Sequence, residues 1–364
     1  MKTGLAFEKL VDEVKRQSEV KQDYLVHAAN LQMESHGHPP ILRLLDNQGM
    51  DCIEPMEIYQ TAHRQFGAYL GIPASYYGRM LEKDPDLLTA NVNKWLALSE
   101  EPRLLRTLDG AARAFLSNRY WCVDHLELLQ VVLPILGESQ DMEIKDCGLT
   151  DSKMYIHVVS KRLREDVVPG DTVQYGFVIA NSEIGMGAVV VHPMLFRLVC
   201  SNGMVSSKPL GNGKRRIHRG KSNELAGYVQ EYQPIGVEKN AEFLTQLQDT
   251  MHDAITGAKF QMLVEQMRES RNAAIETEDL PGLLKAVGSN FGIQEKEQGG
   301  VLQHLLTDAD MTLYGLANAV TRYAQDVESY DRSMHLQMIG YSVMTMPRRQ
   351  WNHLNEMAVP LAAA

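Results

Sequence analysis

Apolar residues in the first hundred positions recur at helical spacing. Leu5, Phe7, Leu10, Val11 and Val14 stand among Lys, Glu and Asp and predict a helix over 5–20. A polar loop with His36, His38, Pro39 and Pro40 follows. Helical patterns then cover 56–70, 73–82 and 85–98, the last two opening on Pro73 and Pro85 at first-turn positions. This whole region reads as helical.

The period changes from 3.6 to 2 at Arg103. Leu104, Arg106 and Leu108 alternate with Leu105 and Thr107, Asp109-Gly110 signals a turn, and Ala112, Ala114 and Leu116 alternate on the way back. A β-hairpin is expected there, and Asp124 can cap a helix to about Leu136. Strands are expected at 142–147, 153–160, 172–179 and 187–191, and His192-Pro193 reads as the start of a short helical run, Met194 to Cys200. Beyond Glu224 the pattern is helical again, over about 223–233, 237–270, 279–288, 297–306, 309–329 and 331–345. The expectation is an α+β fold. A central antiparallel hairpin and meander with packed helices (101–222) lies between an N-terminal helical region (1–100) and a C-terminal helical bundle (223–364).

Composition adds bounds to this picture. A chain of 364 residues, 44% apolar, can bury a sizeable core. No apolar run is long enough for a signal peptide or a membrane span, so the cytoplasm is the expected compartment and no membrane partner is expected. Cys52, Cys122, Cys147 and Cys200 are scattered singly and are expected as reduced, mostly buried thiols.

Charge changes the picture more. The net charge is −10, yet no acidic residue occurs between Glu183 and Glu224, where Arg197, Lys208, Lys214, Arg215, Arg216, Arg219 and Lys221 lie. Seven positive charges segregated on an acidic background are the electrostatic footprint of an anion site, most often nucleic acid. The hairpin repeats the theme, with Arg103, Arg106, Arg113 and Arg119 against Asp109, and Tyr120-Trp121 directly after. Guanidinium groups suit phosphate, and aromatic faces suit base stacking.

Catalytic and cofactor motifs fare poorly. Gly213-Lys214 is followed by Arg215 where a Walker A loop needs Ser or Thr, and Gly185-Met186-Gly187 lacks a third glycine and precedes a strand. No Gly-x-Ser-x-Gly elbow occurs. Asp109, Asp124 and Glu183 could bind a divalent metal, but a turn, a helix cap and an ion pair of Glu183 with Arg197 or Arg119 account for them more simply. No cofactor, metal or catalytic residue is assigned.

The segments RTLDGAARAFLSNRYWCVDHLELL and IANSEIGMGAVVVHPMLFRLVCSNGMV resemble the phage- and plasmid-borne family of unknown function whose bacterial members include YfjQ, YafZ and YubP. The matching positions are Arg113, Ser117, Arg119 and Tyr120, then Asn181, Ser182, Glu183, Gly185, Arg197, Cys200, Asn202 and Gly203, within about residues 70–220. The resemblance implies a mobile-element context. At the level of architecture the chain also looks like single-strand annealing proteins of the Rad52 and Redβ type, which form rings or filaments and use neither metal nor nucleotide.

The functional expectation is a phage- or plasmid-encoded DNA-binding protein acting in recombination or replication. It would bind or anneal single-stranded DNA, and a homo-oligomer is expected. Arg106, Arg113, Arg119, Arg197, Lys214, Arg215, Arg216, Arg219 and Lys221 would meet phosphates and Tyr120 would stack on a base. Two alternatives stand beside it. One is a metal-dependent enzyme acting on nucleic acid, with Asn181, Glu183, Arg197 and Asn202 converging. The other is a host-takeover or anti-defence factor that binds a host protein through a Met-rich surface of Met334, Met338, Met344 and Met346.

Overall fold

The computed structural model describes residues 4–36, 38–120, 122–200, 202–210, 229–231 and 237–357. The first half runs α1 (Phe7–Val20), β1 (Gln22–His27), β2 (Leu31–Glu34), β3 (Ile41–Leu44), β4 (Met56–Glu57), α2 (Gln60–Tyr69), α3 (Ala74–Lys83), α4 (Pro85–Leu96), β5 (Pro102–Leu108), β6 (Ala111–Ser117) and α5 (His125–Glu138). The strands β7 (Met142–Leu149), β8 (Met154–Val168), β9 (Asp171–Asn181), β10 (Val190–Arg197), β11 (Asn202–Val205) and β12 (Val229–Glu231) follow. The helices α6 (Val237–Thr256), α7 (Phe260–Arg271), α8 (Leu280–Phe291), α9 (Glu295–Asp308), α10 (Leu313–Tyr323), α11 (Tyr330–Met344) and α12 (Arg348–Met357) complete the described chain.

The expected α+β class holds. A central five-stranded sheet has the order β11-β10-β9-β8-β7, a four-stranded sheet the order β12-β1-β5-β6, and a three-stranded sheet the order β2-β3-β4. The pairings within these sheets are antiparallel. The expected hairpin is β5–β6, and Asp109 and Gly110 turn it with φ of 52° and 77°, the doubly left-handed geometry that an Asp-Gly pair accommodates.

Burial explains how the layers join. The largest hydrophobic cluster packs Val158, Phe177 and Leu195 of the central sheet against Leu128 and Val132 of α5 and against Leu263, Leu316, Leu336 and Trp351 of the C-terminal helices. Each such buried side chain contributes about 1.5–3 kcal/mol of transfer free energy. The hairpin β5–β6 is covered on both faces. Leu105 and Phe115 point into a cluster with Leu42, Phe66, Leu88 and Val92. Leu104, Ala114 and Leu116 point the other way, to Tyr120 and Ile184 beside the central sheet.

Several expectations are corrected. The N-terminal region is mixed, with β1 to β4 threaded among its helices. In place of the strand at 187–191 and the helical run Met194–Cys200 there is one strand, β10, over Val190–Arg197, paired with β9 on one side and β11 on the other. Pro193, Met194, Leu195 and Phe196 are all buried there, and a continuous apolar run buried on both faces carries no period to separate strand from helix. The expected helix at 223–233 falls largely outside the described residues, and its described part, Val229–Glu231, is the edge strand β12. The long helix 237–270 breaks at Gly257, and α12 was not foreseen. All four cysteines are free; Cys122 and Cys147 are buried, Cys200 is half-buried, and Cys52 is exposed. No helix among the described residues is long and apolar enough to cross a membrane.

Candidate nucleic-acid interface

A β-bulge decides what the hairpin arginines do. The β5–β6 register runs Arg106↔Ala114 and then Thr107↔Ala112, so Arg113 is the extra residue and shares Arg106's side of the hairpin. Both guanidinium groups point at the turn after β9. Arg113 Nη1 donates to Glu183 Oε2 at 2.8 Å, and Arg106 Nη1 donates to the Glu183 carbonyl at 2.7 Å. Arg106 also pairs with Asp23 at 2.8 Å and Asp124 at 2.9 Å. Lys21 reaches Asp124 at 2.6 Å and Glu183 at 3.3 Å, and the His125 backbone N–H donates to Glu183 Oε1 at 2.7 Å.

Three cations thus face three carboxylates, nearly all out of water. Burial alone would raise the Glu183 pKa, but the surrounding positive charges hold it well below the ordinary carboxylate range. Burial pushes the His125 imidazole the other way, down to about 4, so it is neutral here. Its Nδ1 lies 3.0 Å from the Asn181 amide, which also donates to the Val123 carbonyl at 2.9 Å. Tyr120 completes the clamp. Its hydroxyl donates to the Ser182 carbonyl at 3.1 Å and accepts from the Gly185 N–H at 3.0 Å.

Arg106, Arg113 and Tyr120 are therefore 3%, 3% and 8% exposed, with internal partners in place of the phosphates and base expected for them. Their arrangement braces the Asn181–Gly185 turn against the hairpin. Gly185 is part of the same fit: its φ is +77°, and a Cβ would lie 2.8 Å from Leu116 Cδ2. Gly185→Ala is expected to destabilise the fold by roughly 1–3 kcal/mol, read as a lowered urea midpoint, through left-handed strain and crowding together.

Arg197 is elsewhere. Val190 faces Ala180 and Arg197 faces Val173, so Arg197 and Asn181 sit at opposite ends of the β9–β10 ladder. Arg197 forks onto Asp171 at 2.5 and 2.9 Å, and Tyr314 donates to the same carboxylate at 2.7 Å. Asp171 and Arg197, with Arg271, Asp310 and Asn318, line a polar cleft of about 460 Å³. Asn202 bonds Thr321 at this end too. The convergence of Asn181, Glu183, Arg197 and Asn202 is thus two separate clusters, and Glu183 pairs with Arg113 and Lys21, not with Arg197 or Arg119. Asp109 is drawn away to Arg16 at 2.6 Å, so it does not join Asp124 and Glu183. No group of three or more His, Cys, Asp or Glu among the described residues is placed to hold a metal. Met334, Met344 and Met346 are buried and Met338 is partly so, which takes them out of an exposed interface.

Near the hairpin and the basic segment, other cations reach solvent. Arg119 is exposed just past the end of β6, Lys208 is exposed, and the Lys153 side chain lies against Gly187. Arg103, at the start of β5, is half-buried on an aromatic floor. Lys214, Arg215, Arg216, Arg219 and Lys221 lie outside the described residues, as does Trp121, but both flanks of the basic segment are placed. Leu210 N–H donates to the Val191 carbonyl at 2.8 Å, and Val229 pairs with Val26. Val26 in turn pairs with Arg103, and Arg103 with Ser117. The segment therefore returns at the end of the four-stranded sheet where Arg103 and Arg119 lie.

The chain belongs to the family defined by a domain of unknown function (DUF932), which matches residues 114–356. The match begins within β6 and covers the clamped turn, the central sheet and nearly all of the C-terminal helices. No curated protein and no solved structure matches the chain.

Proposed function

We propose that this protein is a nucleic-acid-binding factor of phage or plasmid origin. It takes single-stranded DNA by its backbone in annealing or recombination and works as a homo-oligomer. The reading rests on one observation: the acid-free basic segment of Lys208 to Lys221 is tethered at Leu210 and Val229, and the second tether shares a sheet end with Arg103 and Arg119. Arg106, Arg113 and Tyr120 belong to the scaffold behind that face, and Arg197 to the far end of the central sheet. Phosphate contacts would come from Arg119, Lys208, Lys214, Arg215, Arg216, Arg219 and Lys221, whose charges need no sequence-specific geometry to follow a flexible strand.

The test is a fluorescence-anisotropy titration of labelled single- and double-stranded oligonucleotides against the wild type and Lys214→Glu/Arg215→Glu/Arg216→Glu. The triple variant is expected to bind single strands at least ~10-fold more weakly at moderate salt. Its plot of log affinity against log salt should be shallower by about 2, since each lost phosphate contact removes about 0.7. Unchanged affinity in a folded triple variant would sink the proposal.

A further inference from the structure

Strand alternation sends Arg103 to the opposite side of the hairpin from Arg106. It points with Leu105 and Phe115 toward α2, where its guanidinium carbon lies 4.3 Å from the Tyr69 ring centre and 4.9 Å from that of Phe115. The floor beneath it is itself well packed. Tyr69 meets Phe115 edge-on at 5.3 Å, and Phe66 stacks on Phe115 at 4.2 Å. A weakly hydrated, planar guanidinium suits such a floor.

What this arginine lacks is an anion. Arg106, Arg113 and Arg197 each have a carboxylate partner, whereas the Arg103 side chain makes no hydrogen bond or ion pair among the described residues, and its Nε is buried without a partner. Burial accordingly lowers its pKa from the ordinary arginine value, and Tyr69 and then Glu101 offset only part of that. A partly desolvated cation without a counter-charge destabilises a fold unless something supplies the charge. The strand partner of Arg103 is Ser117, the exposed Arg119 follows two residues later, and the other neighbour, Val26, receives the chain returning from the basic segment.

We propose that Arg103 is the fixed phosphate-binding group of the nucleic-acid face, held flat by Tyr69 and Phe115 and assisted by Arg119. This rests on the nucleic-acid reading above and adds a rigid anchor to it. The basic segment supplies charge in number, while Arg103 supplies a pre-oriented fork that donates to two phosphate oxygens in one geometry. Part of its desolvation is already complete in the free protein, so contact with phosphate strengthens as water leaves.

The experiment titrates a labelled oligothymidylate of ~20 nucleotides into the full chain, comparing wild type, Arg103→Gln, Arg103→Lys and the triple basic-segment variant across a salt series. Arg103→Gln is expected to weaken binding about 5–10-fold and to reduce the salt slope by about 0.7, one phosphate's worth. Arg103→Lys should restore the slope but not the full affinity, because an ammonium neither stacks nor forks. Arg103→Gln also loses the contact with both rings, so a small fall in unfolding temperature is expected, and binding is compared at a temperature where both proteins are folded. Wild-type affinity and slope in Arg103→Gln would overturn the anchor and leave the nucleic-acid reading standing, provided the triple variant is impaired. Weakened binding in Arg103→Gln with the wild-type salt slope kept would assign Arg103 to the scaffold instead. Absence of binding by the wild type would overturn both readings together.

Discussion

Replacing Arg113 by methionine is expected to cost about 3–5 kcal/mol of folding stability, the range for removing one partner of a buried ion pair. The side-chain volume is nearly kept, so the loss is electrostatic. Glu183, 2% exposed, would keep Lys21 at 3.3 Å and one backbone N–H but lose its closest cation. Two cations would then face three carboxylates in the cluster. Urea unfolding of wild type and Arg113→Met at pH 7 measures the difference. The companion Arg113→Met/Glu183→Gln removes both charges and should recover a large part of the loss, because the penalty lies in the orphaned carboxylate more than in the missing bond. A single variant within about 1 kcal/mol of wild type would show that the clamp does not hold the hairpin to the central sheet.

Acidification is expected to destabilise the fold by several kcal/mol between pH 7 and pH 4.5. Burial holds four histidines neutral in the folded chain: His63, His125 and His192 at about 4, and His157 at about 3. His63 Nδ1 lies 2.9 Å from the Tyr77 hydroxyl and His157 Nε2 lies 3.1 Å from Met334 Sδ. In the unfolded chain each returns to about 6.5. Between the two values the unfolded state binds more protons, so stability is complete above pH 6.5 and falls as the pH drops toward 4, flattening once the folded rings protonate as well. Glu183, whose folded pKa is depressed, adds its own loss only below the ordinary carboxylate range. Urea midpoints at half-unit pH steps test this, and a flat profile from pH 6.5 to 4.5 would contradict it.

The hairpin, the meander and the C-terminal helices were legible because each satisfies a local rule. Asp-Gly sets a turn, alternation sets a strand, and Asp124 stands at the head of α5, its N–H bonded to Glu127 three residues on. The strands β2 and β3 alternate too, with Leu31, Met33, Leu42 and Leu44 buried, but four residues are too few to outweigh neighbouring helical patterns. Strand β1 carries no local signal for its partners, since these are distant segments of the chain.

The candidate site was readable as chemistry and not as placement. Arginines on the hairpin invited a phosphate reading for Arg106, Arg113 and Arg119. The bulge at Arg113 is a property of the pairing, and only the folded pairing shows that Arg106 and Arg113 share a side facing Glu183. Arg119 is indeed exposed, and Arg103, outside that set, is the hairpin arginine held half-buried on rings with no carboxylate partner. The signal that could have found it was parity: position 103 shares its side with Leu105, and 106 shares its side with Leu104. Of the positions that carried the family resemblance, Arg113, Tyr120, Asn181, Ser182, Glu183 and Gly185 meet in space, as a brace.

Strand β1 imposes a schedule on the chain during synthesis. Its apolar pair Leu25 and Val26 leaves the ribosome early, finds β5 after some eighty residues, and is completed by β12 only roughly two hundred residues later. At ordinary elongation rates that is a wait of ~10–40 s with one edge of a hydrophobic strand uncovered. The stretch emerging just before β12 is the most basic in the protein. The nascent chain therefore presents its most cationic stretch, beside an abundance of ribosomal RNA, at the moment its four-stranded sheet closes.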